Sequence, residues 1–132
     1  MSFMSDKRND KGKGDFMNGK EMVKIIYDAL ADKKAGDIKV IDIQNVSVIS
    51  DYFIIADGSN KNQVQAMADN VEEEMEKAGC HIKQMEGYQT ANWILMDYND
   101  VIVHIFSSED RLFYDLERIW RDGKSVELAD LD

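Results

Sequence analysis

The clearest pattern of hydrophobic and polar positions lies at residues 92–106, NWILMDYNDVIVHIF. Two apolar runs, residues 93–96 and 101–106, flank a polar tetrad. Branched and aromatic side chains on both sides of a short polar segment predict a β-hairpin. Asn99 suits the turn because Asn is one of the few residues besides Gly that tolerate a positive φ.

Alternation sorts the side chains of this hairpin into two faces. The aliphatic face is predicted to be core, and it comprises Ile94, Met96, Val101, Val103 and Ile105. The mixed face is predicted to meet another surface, and it comprises Trp93, Leu95, Ile102, His104 and Phe106. If Asp97 and Asp100 close the hairpin, they lie side by side at the end of the mixed face, and Trp93 faces His104.

Apolar residues at helical spacing predict three helices. The first begins at Asn18, which forms a capping box with Glu21, and it ends by Gly36. The longest follows the turn at residues 57–60 and ends at Gly79; its buried stripe is predicted to be Val64, Met67, Ala68, Val71, Met75 and Ala78. A last helix is predicted over residues 107–123, with a capping box at its start.

Strands are predicted at residues 38–43, 52–56 and 81–85, in addition to the two strands of the hairpin. The predicted order is α-β-β-α-β-β-β-α, an α/β single domain with a mixed five-stranded sheet flanked by helices. Residues 1–17 are polar and rich in Gly and Lys, which predicts a disordered N-terminal arm. We expect the folded domain at residues 18–123 and a flexible C-terminal tail at residues 124–132.

Composition narrows the possible partners. The net charge is −10, of which residues 1–34 carry +2 and the remaining residues −12. An acidic body disfavours direct binding to nucleic acid and fits a basic protein partner, although the same charge could serve solubility alone. No apolar run approaches the roughly 18 residues of a membrane span, and no signal peptide is recognisable. The single cysteine, Cys80, fits a reducing cytoplasm, where we expect the protein.

The sequence offers little enzyme chemistry. It holds two histidines and one cysteine, without a P-loop or a metal-ligand pattern, so we expect no metal and no cofactor. Gly58-Ser59, between a strand and a helix, is the position at which nucleotidyltransferases hold phosphate. Those enzymes also need carboxylates on neighbouring strands for magnesium, and after Ser59 no Asp-x-Asp falls on a predicted strand. A nucleotide-binding enzyme that uses Gly58-Ser59 and the two aspartates is the alternative hypothesis.

The acidic turn is the more informative feature. Like charges directly opposite each other in a hairpin are destabilising, and a partner's Lys or Arg, or Arg111 within the chain, would relieve the repulsion. An exposed Trp93 or Tyr98 beside the turn would be a good interface anchor. The alternative is a hydrated acidic turn above a buried tryptophan.

Four motifs together resemble the Iojap family, whose bacterial members are called ribosomal silencing factors. They are DYFIIADGSN at residues 51–60, EGY at 86–88, NWILMDYNDVIVHIF at 92–106, and R-x-x-Y-x-L-E-x-x-W at 111–120. The resemblance covers about residues 19–123. Asn99 stands where the family usually has Gly, and Asn can adopt the same turn conformation.

The resemblance implies a fold distantly like that of nucleotidyltransferases, without their activity. It further implies binding to the large ribosomal subunit through ribosomal protein L-fourteen, on the surface that meets the small subunit. Occupying that surface would prevent subunit joining and repress translation when nutrients are limiting. Family members also tend to form homodimers. A third hypothesis is a dimeric structural module whose mixed sheet face is a self-contact. The expected interface residues are Trp93, Asp97, Tyr98 and Asp100, with Tyr88 and Arg111.

Overall fold

The computed structural model describes residues 17–45, 47–48 and 50–108, and the backbone of residues 124–125. The elements are α1 (Gly19–Asp32), β1 (Ile38–Asp42), β2 (Tyr52–Gly58), α2 (Lys61–Lys77), β3 (Gln84–Glu86), β4 (Trp93–Asp97), β5 (Val101–Ser107) and β6 (Lys124–Ser125). The predicted α/β class and mixed sheet are confirmed. Of the predicted last helix the structure describes only residues 107–108, and of the two terminal segments only residues 17 and 124–125. The boundaries of these three segments therefore stay predictions.

The strands lie in the order β3-β4-β5-β2-β1-β6. All pairs are antiparallel except β2 with β5, which are parallel and lie at the centre of the sheet. The parallel pair is possible because α2 and the β3–β4 segment make the long connection that it requires. The two-residue strand β6 pairs with β1 at the opposite edge from β3. The sequence predicts a flexible tail from residue 124 onwards; in the structure the backbone of residues 124–125 pairs with the outer edge of β1.

Both described helices cover the same face of the sheet. The Asn18 side chain accepts a hydrogen bond from Glu21 N at 2.9 Å, and the Glu21 carboxylate accepts one from Asn18 N at 3.0 Å, as the capping box predicted. The α2 stripe is buried from Val64 to Met75, and its members contact the aliphatic face of the hairpin. Every residue predicted for that aliphatic face is fully buried. Neither described helix is long and apolar enough to cross a membrane.

The hairpin register differs from the predicted one by two residues. Trp93 pairs with Phe106, and Leu95 pairs with His104, so the closing pair is Tyr98 with Val101. A shift of two leaves every side chain on its predicted face, because the side-chain period of a strand is two. The division into an aliphatic and a mixed face is therefore confirmed, whereas the expected pairing of Trp93 with His104 is wrong.

Candidate protein-interaction surface

The face of the sheet opposite α1 and α2 is here called the second sheet face. Within the described residues no helix packs on it. It is formed by alternate residues of β2, β4 and β5, namely Phe53, Ile55, Trp93, Leu95, Asp97, Ile102, His104 and Phe106. Ile55 and Phe106 are buried there with Ile41 and Ile43 of the β1 side. Phe53, Leu95 and Ile102 are half-buried.

Trp93 is the most exposed large side chain of the second sheet face, with 37% of its surface accessible. Its indole stacks on the Phe106 ring, with the ring centroids 5.4 Å apart. Its Nε1–H donates a hydrogen bond to Nδ1 of His104 at 3.1 Å. The side chain is therefore exposed on one side and held on the other, which is the arrangement of an interface anchor rather than of a core residue.

His104 lies on the mixed face, as predicted, and it is buried, with 3% of its surface accessible. The Phe53 ring lies against it, with centroids 4.7 Å apart. Burial lowers the pKa of the imidazole from 6.5 to about 4, so the ring is neutral at physiological pH. Its Nε2 has no hydrogen-bond partner in the part of the chain that the structure describes.

The loop at residues 87–92 positions the start of β4. Gly87 has φ +82°, and a Cβ atom there would lie 2.1 Å from the Trp93 carbonyl oxygen, so only glycine fits. The Tyr88 hydroxyl donates to Asp69 Oδ2 at 3.0 Å, and Gln65 Nε2 donates to the Tyr88 carbonyl at 2.8 Å. The hydrogen bond to Asp69 raises the pKa of the Tyr88 phenol. Tyr88 thus attaches the loop to α2, and the loop in turn positions the start of β4, where Trp93 lies.

The acidic turn is built differently from the expected arrangement. Asn99 has φ +71°, and Asp97 Oδ1 accepts a hydrogen bond from Asn99 N at 2.8 Å. Asp97 pairs with Ile102, while Asp100 is a turn residue. The two aspartates are therefore not directly opposed, and their expected mutual repulsion loses its basis. Asp97 is half-buried on the second sheet face, and the Asp100 side chain is exposed.

The turn is also attached to the rest of the molecule. Ser50 Oγ donates to the Asn99 carbonyl at 2.7 Å, and the Asp100 carbonyl accepts hydrogen bonds from the backbone N–H groups of Asp51 and Tyr52. These bonds link the turn to the start of β2. These hydrogen bonds therefore fix the acidic turn to the end of the sheet, and it does not project as a free loop.

Tyr98 was expected as an exposed anchor, and the structure corrects this. Only 2% of its surface is accessible, and it belongs to the main core beneath α2. Burial raises the pKa of its phenol. The alternation of the sequence already indicates that Tyr98 is buried, because it continues the aliphatic series of Ile94 and Met96. We therefore remove Tyr98 from the candidate surface; Arg111 lies outside the described residues.

Acidic groups border the apolar part of the second sheet face. Glu86 pairs in register with Leu95, and Gln84 pairs with Asp97, so their side chains continue this face onto the edge strand. The Gln84 amide donates a hydrogen bond to the Glu86 carboxylate. An apolar centre with a polar, negatively charged border is the usual anatomy of a surface that binds a basic protein.

The turn at Gly58-Ser59 is closed by the protein itself. Gln63 Oε1 accepts hydrogen bonds from Ser59 N at 2.6 Å and from Ser59 Oγ at 2.8 Å. Gln63 Nε2 donates to the carbonyls of Lys33 and Lys34. The donors that would receive a phosphate are thus already satisfied by an amide. Within residues 17–108, leaving aside 46 and 49, no group of three His, Cys, Asp or Glu side chains could hold a metal ion.

The chain is similar to known proteins in both sequence and structure. The family model described as "Ribosomal silencing factor during starvation" matches residues 17–132. Ribosomal silencing factor RsfS of Bacillus subtilis is 41% identical over 116 residues, which cover 88% of this chain and 96% of that protein. A crystal structure of a Bacillus halodurans protein matches with a TM-score of 0.76 at 35% identity, covering 83% of this chain and 100% of that chain.

A more distant mouse protein, "Mitochondrial assembly of ribosomal large subunit protein 1", is 25% identical over 118 residues, covering 87% of this chain and 52% of its own length. The family match spans all of the described residues, including both helices and the whole second sheet face. The chain therefore belongs to the ribosomal silencing factor family, whose members are ribosome-associated regulators of translation.

Proposed function

We propose that the protein binds the large ribosomal subunit at ribosomal protein L-fourteen and sterically prevents the small subunit from joining. Translation would thereby be repressed under nutrient limitation, the condition that the description of the matching family names. The observation that carries the proposal is Trp93, a large aromatic side chain that is 37% exposed yet held by Phe106 and His104. We expect the protein in the cytoplasm, together with the ribosomes that it would bind.

The chemistry of the second sheet face supports a protein partner rather than rRNA. Phe53, Leu95 and Ile102 offer half-buried apolar area around Trp93, and Glu86 and Asp97 border it. With a net charge of −10, the molecule repels phosphate and attracts basic surfaces. The name of the mouse relative, which refers to the large ribosomal subunit, supports that subunit as the target.

A steric mechanism requires only that the protein bind the large subunit. The protein needs sufficient affinity for the large subunit and enough bulk beside its binding surface to obstruct the small subunit. No proton transfer, nucleophile or metal is required, and Gln63 already occupies the turn that the alternative hypothesis reserves for phosphate. Calorimetry with magnesium and nucleoside triphosphates separates the two hypotheses, because the proposed function expects no heat of binding.

The deciding experiment sediments the purified protein with separated ribosomal subunits. We expect it in the pellet with large subunits alone, and we expect it to reduce subunit joining on sucrose gradients. Trp93→Ala should weaken large-subunit binding by at least about thirtyfold, since a central tryptophan typically contributes about 2 kcal/mol or more to an interface. Binding to both subunits alike, or an unaffected Trp93→Ala variant, would contradict the proposal.

Val48→Ala is the matched control. Val48 is the other large apolar side chain that the described residues expose, with a relative accessibility of 104%, and it lies in the β1–β2 loop rather than on the second sheet face. Truncating it removes exposed apolar surface without touching Trp93. We expect its large-subunit affinity to equal that of the wild type.

The resemblance to the family also implies a homodimer, which we propose for the protein in free solution. Sedimentation velocity of the wild type and Trp93→Ala tests this and shows which surface the dimer uses. A dimer that survives Trp93→Ala would leave the second sheet face to the ribosome. A monomeric variant would mean that self-association and subunit binding compete for the same face.

A further inference from the structure

The contact between Trp93 and His104 crosses the hairpin diagonally. Trp93 pairs in register with Phe106, while His104 pairs with Leu95, one position further along the same face. The indole nevertheless reaches His104, because Nε1 lies 3.1 Å from Nδ1. An exposed tryptophan on a strand has several accessible rotamers. Stacking on Phe106 and the hydrogen bond to His104 together select one of them.

The hydrogen bond also determines the state of the imidazole. An indole N–H can only donate, so Nδ1 must accept and the proton of the neutral ring must reside on Nε2. Burial keeps the ring neutral and keeps water from competing for Nδ1. His104 is therefore in the one protonation state and the one tautomer that can hold Trp93.

A residue that served only to pack would not need an imidazole here. The Nε2 of His104 is buried without a hydrogen-bond partner among the described residues, which costs stability. Leu or Phe would fill the space beside Phe53 without that cost. The feature that distinguishes His104 from an apolar residue is its acceptor, and Trp93 uses it.

We propose that His104 is a positioning residue of the interaction surface: its Nδ1 holds the Trp93 indole in the orientation that a basic ribosomal protein recognises. The docking half of this proposal rests on the proposed function; the positioning half concerns the free protein alone. Ordering a side chain in advance removes a cost of about 0.5–1.5 kcal/mol from binding, so losing the hydrogen bond should weaken affinity about three- to tenfold.

The positioning half is tested by nitrogen-15 NMR on the free protein. Long-range correlations of His104 should show a protonated Nε2 and an unprotonated Nδ1 at neutral pH. The indole N–H signal of Trp93, identified by its loss in Trp93→Phe, should exchange slowly with water and should move in His104→Leu. A proton on Nδ1, or an indole signal unchanged in His104→Leu, would overturn the proposal.

The docking half is tested with two His104 variants in a double-mutant cycle. His104→Asn retains an acceptor at the position of Nδ1, and we expect its large-subunit affinity to remain within about twofold of the wild type. His104→Leu should lose about three- to tenfold. In a Trp93→Ala background the same two variants should not differ, because His104 acts only through the indole. All variants are compared below their melting temperatures.

Two outcomes would overturn the docking half. In the first, His104→Leu and His104→Asn weaken binding equally, which would indicate general disturbance of the sheet. In the second, His104→Leu weakens binding as much without Trp93 as with it. If the wild type fails to bind the subunit, the proposed function and the docking half both fail, while the NMR result still decides whether His104 positions Trp93.

Discussion

Lowering the pH should destabilise this fold through His104. The folded protein keeps the imidazole neutral down to its pKa of about 4, whereas the unfolded chain binds a proton at an ordinary pKa of 6.5. Between these values the unfolded state holds more protons than the folded state. The stabilising contribution of the neutral, buried ring is therefore fully present above pH 6.5 and is lost as the pH falls towards 4.

The size of the effect follows from the two pKa values. Lowering the pH from about 8 to about 5 should remove about 2 kcal/mol from the free energy of unfolding through this one group. Because the ring is almost fully buried, solvent screening reduces the effect little. For a domain of this size, whose total stability is typically about 5–15 kcal/mol, such a loss is readily measured.

The assay is urea unfolding, followed by circular dichroism, of wild type and His104→Asn at several pH values. The variant replaces the titratable ring with a group that does not ionise, so its stability should fall by about 2 kcal/mol less than that of the wild type between about pH 8 and pH 5. The result is read from the difference between the two slopes and not from the absolute stabilities. His81, the other histidine, is present in both proteins, so any contribution that it makes to the slope cancels in the comparison. Equal slopes for wild type and His104→Asn would refute the reasoning.

Three further predictions concern the loop, the charge and the N-terminal arm. Gly87→Ala should lower stability by about 2 kcal/mol or more in urea unfolding, because its Cβ would lie 2.1 Å from the Trp93 carbonyl at a positive φ; unchanged stability would mean that the loop can move freely. Glu86→Lys on the second sheet face should weaken large-subunit binding more than Glu73→Lys on α2, which changes net charge equally, and the difference should shrink at high salt; equal effects would remove the acidic border from the proposal. Met17, the last residue of the predicted arm, packs against the core and is therefore kept; deleting residues 1–16 should leave the melting temperature unchanged, and a large drop would show that the arm belongs to the fold.

The elements that the sequence predicted best are those whose signal is local. The capping box at Asn18 and the α2 stripe need only the spacing of residues within one helix. The structure confirms the capping box and the stripe from Val64 to Met75, whereas Ala78 is a half-buried C-cap residue. The two faces of the hairpin were also predictable, because alternation does not depend on the exact register. Asn99 was assigned to the turn from its tolerance of a positive φ, and it has φ +71°.

What the sequence could not provide depends on contacts between distant segments. The turn of the hairpin is attached to Ser50, 49 residues away along the chain, and no local pattern specifies that contact. Gln63 closes the Gly58-Ser59 turn and also binds the carbonyls of Lys33 and Lys34, which lie 30 and 29 residues earlier in the chain. The diagonal bond between Trp93 and His104 likewise depends on the true register, although both residues were predicted to share a face.

Replacing tyrosine with phenylalanine at positions 98 and 88 tests the roles of these two side chains, because each substitution removes only a hydroxyl group. The Tyr98 hydroxyl is buried without a hydrogen-bond partner among the described residues, whereas the Tyr88 hydroxyl donates to Asp69 at 3.0 Å. Tyr98→Phe should therefore keep or raise stability, by up to about 1–2 kcal/mol, because it removes an unsatisfied buried group. Tyr88→Phe should instead lower the melting temperature, because it breaks the bond that ties the loop to α2.

The two variants should also differ in large-subunit affinity. Tyr98→Phe should bind like the wild type, since the side chain lies in the core beneath α2 and not on the second sheet face. Tyr88→Phe should weaken binding modestly, because the loop that it supports leads directly into Trp93. Measuring melting and subunit affinity on both variants decides the matter. If Tyr98→Phe is as stable as the wild type and yet fails to bind, the core side of the turn takes part in docking, and the surface assigned here is the wrong one.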